Sequence, residues 1–168
     1  MIAGLSVADF TLLHVLISLM GIATGIIVVI GLIGGRVLAG STALFLATTV
    51  ATSVTGFMFH STSFGPPQIV GVISLMALAI AISALYVYRT AGAWRWIYVV
   101  TAVLSLYLNV FVGVVQAFDK LPFLHALAPT ASEPPFKAAQ LFVLAIFVVL
   151  GMVALRRFRP GARTHALS

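Results

Sequence analysis

Four histidines, His14, His60, His125 and His165, are the side chains in this sequence best able to bind a ligand or move a proton near neutral pH. His14 and His60 matter most. One follows the start of the first apolar run and the other closes the second, so two adjacent antiparallel helices would bring them to similar depth. Such a pair could ligate a b-type haem or a divalent metal. His125 and Glu133, in the long loop further on, could complete a zinc or copper site. Asn109, Gln116 and Gln140 add amide groups able to hydrogen-bond a small ligand, and with His14 and His60 they form the candidate binding set. The alternative is structural. No HExxH or His-x3-His spacing is present, and a histidine near a helix end often only bonds its neighbours. His165, in the C-terminal tail, reads as a solvated residue.

Other chemistries are poorly served. The chain has no cysteine, which excludes disulfides, thiol redox chemistry, attached c-type haem and Cys-ligated iron–sulfur clusters. There is no phosphate-binding glycine loop and no GxSxG. Asp119 and Glu133 lie 14 residues apart in a loop, a weak pairing for acid–base work.

The elements that position these residues are dictated by composition. Of 168 residues, 62% are hydrophobic and only 7% charged, against roughly 25% charged in an average soluble domain. Such a chain cannot clothe a water-facing surface, so the reading is an integral membrane protein. Five apolar runs can cross roughly 30 Å of hydrocarbon at about 20 residues each. They are Phe10 to Gly34, Ser41 to Thr62, Pro67 to Tyr88, Trp96 to Phe118 and Lys137 to Leu155. Continuous runs of this length exclude a strand-built barrel. The predicted fold is therefore all-α, one polytopic domain over residues 1–168: a five-transmembrane-helix bundle with short links. The exception is the loop Asp119 to Phe136, whose prolines Pro122, Pro129, Pro134 and Pro135 disfavour a regular helix through its whole length. Met1 to Asp9 carries no Lys or Arg, so no cleavable signal peptide is read.

Orientation follows from the basic residues. With the N-terminus outside, Arg36, Arg89, Arg95, Arg156, Arg157, Arg159 and Arg163 fall inside and only Lys120 and Lys137 outside. Trp94, Trp96, Tyr98, Tyr86 and Tyr88 then form an aromatic belt at the inner boundary. The C-terminus is inside, and Arg156, Arg157 and Arg159 are placed to contact anionic lipid head groups. The net charge of +6 is thus a topology signal and not a nucleic-acid footprint. Partners are the bilayer and, for such a small bundle, further copies or a larger membrane complex.

Helices in lipid associate through small residues and hydrogen bonds. His14, Ser18, Gly21 and Gly25 share one face of the first span, with Gly21 and Gly25 forming GxxxG. Thr49, Ser53, Gly56 and His60 share a face of the second, with Thr52 and Thr55 beside it. Thr101, Ser105, Asn109, Gly113 and Gln116 follow the fourth. Hydroxyls in helices can bond their own backbone and need no ligand. Asn109, near the bilayer middle, needs a partner. The fifth span offers only Gln140 and Gly151 and reads as the most lipid-exposed. No Asp, Glu, Lys or Arg lies inside a span, which argues against an ion-driven transporter.

A span-one histidine (His14), a second span ending Phe57-Met58-Phe59-His60, a Phe64-Gly65-Pro66 turn and an Arg-rich link before the fourth span complete the layout. In that layout the chain resembles small multi-pass proteins of the bacterial inner membrane. The resemblance implies a cytoplasmic-membrane location and no activity. The leading expectation is a non-catalytic membrane protein with an outward-facing, His-containing polar site for a small ligand, metal or haem, acting alone or as an accessory subunit. The alternatives are a passive channel or solute facilitator lined by Asn109 and the span-two hydroxyls, and a membrane-embedded enzyme acting on a lipid or quinone.

Overall fold

A computed structural model of the chain describes residues 1–2, 4–59 and 65–159. His60, and the tail that holds Arg163 and His165, lie outside the described residues, so the expected His14–His60 pairing does too. The described residues are helical throughout, with no strand beyond a single Ile2–Leu5 bridge. The helices are α1 (Val7–Ile33), α2 (Ala39–Phe57), α3 (Pro66–Ile82), α4 (Trp94–Lys120), a short α5 (Pro122–Leu127) and α6 (Pro134–Arg157).

Local chemistry sets their ends. Ser6 caps α1 by accepting from the Asp9 N–H at 3.1 Å, and its hydroxyl donates to the Asp9 carboxylate at 2.6 Å. Asp9 also suits the positive end of the helix dipole. Pro66 and Pro67 open α3, and Pro134 and Pro135 open α6, at positions where a missing N–H costs nothing. Pro122 does the same for α5. The expected loop therefore contains one helix, because proline at a first turn starts a helix where an interior one would break it. Gly35, at φ +73°, turns the chain out of α1. At the end of α3 the residues Ser83–Val87 widen into a π-turn, with the Tyr88 N–H donating to Ser83 O at 3.0 Å.

Ring contacts fix the directions. Phe10 of α1 meets Phe59, just beyond α2, at 5.2 Å. Phe118 of α4 meets Phe136 of α6 at 5.4 Å, and at the opposite end Tyr98 of α4 meets Phe158 at 6.1 Å. Long helices consecutive along the chain therefore run antiparallel. One end of the bundle carries Asp9, Asp119 and Glu133, and the other carries Arg36, Arg89, Arg95, Arg156 and Arg157. These are called the acidic and the basic end below.

Four helices are long and apolar enough to cross a membrane: α1, α3 with its π-turn, α4 and α6. α2 is the exception. It has 19 residues, but Ser41, Thr42, Thr48, Thr49, Thr52, Ser53 and Thr55 dilute its apolar character. α6 is the least enclosed of the four, with only Gln140 and Ala154 buried, as its sequence implied.

α4 is the central helix and packs against α1, α2, α3 and α6. The dense core lies in the basic half, where Leu32, Phe45, Leu78, Ala81, Tyr98, Ala102, Leu106 and Phe158 are almost fully enclosed. The GxxxG pair makes this close approach possible. A Cβ on Gly25 would sit 2.6 Å from Leu106 and 2.9 Å from Phe45. The basic end is tied by Arg95, whose guanidinium donates to the carbonyls of Leu155 and Phe158 at the end of α6. Those carbonyls have no helical partner of their own. Charged hydrogen bonds of this kind contribute about 1.5–3 kcal/mol. Arg95→Met should therefore free the last turn of α6, read as faster deuterium uptake at residues 155–158 while α4 keeps its protection.

Candidate functional site

The packing changes character halfway along the bundle. On the way from the basic end, the last buried residues of the core are Gly21 on α1, Thr49 on α2, Ser74 on α3 and Asn109 on α4. Beyond them, up to Phe10 and Phe118 near the acidic end, no residue of α1 to α4 is buried. This loosely packed belt spans residues 11–20 of α1 and 110–117 of α4, about 12–15 Å at 1.5 Å per residue. His14, Ser18, Thr52, Ser53, Thr55, Gly113 and Gln116 all lie in it.

The floor of the belt is polar. Around the bare face of Gly21, the point a Cβ would occupy is 3.0 Å from Asn109 Nδ2, 3.2 Å from Thr49 Oγ1 and 3.3 Å from Thr48 Oγ1. Thr48 donates to its own helix at Leu44 O, 2.7 Å away. Thr49 Oγ1, Thr52 Oγ1 and Asn109 Nδ2 are enclosed with no hydrogen-bond partner among the described residues. Ser53 bonds Ser74 across α2 and α3 at 3.2 Å. An unbonded amide in a low-dielectric interior is costly, of the order of 1–3 kcal/mol by mutational measures, and among the described residues the Asn109 Nδ2 group finds no partner.

His14 sits higher in the belt. Its Nδ1 lies 2.7 Å from Thr55 Oγ1, joining α1 to α2. The Thr55 hydroxyl proton is committed to Ala51 O, 2.7 Å away on its own helix. With that proton on Ala51 O, Thr55 is placed to accept from the imidazole, the arrangement that puts a proton on His14 Nδ1. In that tautomer the lone pair is on Nε2, which has no hydrogen-bond partner among the described residues. Phe59 meets the ring edge-to-face at 5.3 Å, and Gly56 leaves space beside Cε1. A histidine oriented through Nδ1–H with a free Nε2 is the arrangement metal and haem ligands use.

The other candidates separate from this pair. Gln116 is exposed near the acidic end of α4. Gln140 of α6 donates from Nε2 to Phe111 O of α4 at 3.2 Å, while its Oε1 is enclosed without a partner. His125 is exposed on α5. Glu133 is occupied in its own loop: one carboxylate oxygen accepts from the Thr130 hydroxyl and N–H at 2.8 and 3.1 Å, and the other from the Ser132 N–H at 2.9 Å. No group of three His, Asp or Glu side chains able to hold a metal ion forms among the described residues. The structure thus does not assemble His14, His125 and Glu133 into one site, because Glu133 serves as a loop clamp. Arg156 and Arg157 are exposed in the last turn of α6, with Arg159 just beyond it.

The Thr130 hydroxyl, then the loop amides, hold the Glu133 carboxyl down to about 2. A lowered folded-state value stabilises the charged loop above the ordinary value near 4.5, and that support is lost as pH falls toward 2. Glu133→Gln at neutral pH should mimic the loss, seen as faster proteolytic nicking at residues 129–133 with the helices intact.

No protein-family model, no curated protein and no solved structure matches the chain. The functional reading therefore rests on geometry. Thr55 is the site residue that sequence reasoning undervalued. It stood among several hydroxyls on α2, and only the packing of α1 singles it out.

Proposed function

We propose that this is a non-catalytic, five-span membrane protein of the cytoplasmic membrane, with its N-terminus and the loosely packed belt on the outer side, that binds a small ligand through His14. Five spans are supported by α2 running the height of the bundle. Its start follows a turn packed on Gly31, and its end lies beside Phe10. The outward acidic end is supported by the excess of arginines at the other end. The observation that carries the reading is the His14–Thr55–Ala51 relay, which, with the proton on Nδ1, leaves Nε2 without a hydrogen-bond partner among the described residues, at the edge of a polar, loosely packed region.

Among ligands, haem fits best. A single histidine can hold it, whereas a bare metal ion needs several ligands that the described residues do not gather. The passive-conduit reading has Asn109 in its favour, but a path through one chain would have to pass Leu32, Phe45 and Leu106, each no more than 1% exposed. An accessory role within a larger membrane complex is compatible with the leading reading.

The test is the absorption spectrum of the purified protein in mild detergent, as isolated and after titration with haem, oxidised and then reduced. The expected result is a Soret band that shifts on reduction and is missing in His14→Ala. A featureless spectrum that added haem leaves unchanged would remove haem from the reading.

A further inference from the structure

Away from the histidine, an open groove of about 470 Å³ runs between α2 and α3 toward the basic end. Ala43, Leu46, Ala47 and Val50 line one wall, and Ile82 and Tyr86 the other. Ala43 and Ala47 are one helical turn apart, and their small side chains hollow the α2 face. Opposite them, Ile82 and Tyr86 straddle the passage from α-helix to π-turn, where the wider turn displaces the wall. Apart from the Tyr86 hydroxyl, every side chain lining the groove is apolar.

Charge at the basic end of α2 and α3 bears on what fits the groove. Arg36 lies in the turn that leads into α2, and Arg89 follows the π-turn that ends α3, so both stand at the basic end of the two helices that form the groove. Both are exposed. All three acidic residues of the chain, Asp9, Asp119 and Glu133, lie at the opposite end. The ion pair among the described residues, Lys120 with Asp119, is at that end as well. Two exposed arginines without an ion pair among the described residues, at the end of the bundle toward which an apolar channel runs, complement a molecule with an anionic head and a hydrocarbon tail.

We infer that the α2–α3 groove is a binding site for one anionic phospholipid, an acyl chain lying along Ala43, Ala47 and Ile82 and the phosphate meeting Arg36 and Arg89. Tyr86 sits where its hydroxyl reaches the head-group layer and its ring faces the chain. The site is independent of His14 and of any ligand bound there. It differs from the expected contacts of Arg156, Arg157 and Arg159, which rest on charge alone.

The experiment is native mass spectrometry of the full chain released from vesicles holding equal parts of phosphatidylglycerol and phosphatidylcholine. The expected result is one retained phosphatidylglycerol per chain, favoured over phosphatidylcholine by roughly tenfold to thirtyfold, the preference two arginines near a membrane surface can supply. Arg36→Gln with Arg89→Gln should bring the two lipids to parity without disturbing packing, and Ala47→Phe, which fills the groove, should abolish retention of either. Arg156→Gln with Arg157→Gln should keep the preference. Equal retention of both lipids by the natural chain, or a preference untouched by the Arg36 and Arg89 pair, overturns the proposal. Should Ala47→Phe fail to fold, the arginine variants decide it alone.

Discussion

Thr55→Val is expected to weaken ligand binding at His14 by roughly 10–100-fold with the helices in place, the usual cost of losing the partner that orients a ligating histidine. The Thr55 hydroxyl accepts from Nδ1 only because its own proton is spent on Ala51 O. Valine keeps the branched shape and removes the acceptor. The imidazole then loses both its orientation and the reason to keep its proton on Nδ1. His14→Ala removes the ligand atom itself and should abolish binding. Thr55→Ser, which restores a hydroxyl, should recover most of it. Ligand titration of the three variants against the natural protein measures this. The graded order Ser, Val, Ala separates a positioning role from a merely structural one.

The second large effect is on stability. Gly25→Leu should prevent the bundle from assembling, read as loss of a monodisperse peak in detergent and of cooperative thermal unfolding. Even a single methyl at Gly25 would stand within 3 Å of Leu106 and Phe45, two side chains each 1% exposed. Overpacking of a tight core by one methylene costs typically about 1–3 kcal/mol. Replacing a helical glycine by alanine returns about 1 kcal/mol. For alanine the two effects nearly offset, so Gly25→Ala should be tolerated with a modest loss. Leucine adds three more carbons and gains nothing further, so packing wins. Gly113→Ala, where the nearest atom is Ile22 Cδ1 at 3.7 Å, meets no clash, so it should stabilise the helix by up to about 1 kcal/mol and serves as the control.

Much of the architecture was legible in the residues, because hydropathy and punctuation are local. The apolar runs reappear as helices and the GxxxG seam reappears in the core, with helix ends displaced by a few residues. α2 shows where hydropathy weakens. Its hydroxyls dilute the apolar run, and α2 is not among the four helices long and apolar enough to cross a membrane. What the residues could not reveal was long-range. Arg95 bonds carbonyls 60 and 63 positions away, and His14 meets a threonine 41 positions away. Nothing in Ser83-Ala84-Leu85-Tyr86-Val87 marks a π-turn, since its extra residue is set by packing on α4 and by the turn that follows. The placement of Asp9, Asp119, His125 and Glu133 at one end was readable as topology. Their assembly into one site was not, because Glu133 is claimed by its own loop and His125 stays exposed.

The central claim is that His14 offers an unprotonated Nε2, held so by Thr55. Nitrogen NMR of the ligand-free protein, labelled at histidine, tests it most directly. The account predicts a neutral His14 ring at pH 7 with the proton on Nδ1 and a bare Nε2, and loss of that single tautomer in Thr55→Val. A proton on Nε2, with Nδ1 accepting from the threonine, would contradict it and leave His14 no free lone pair with which to hold a ligand.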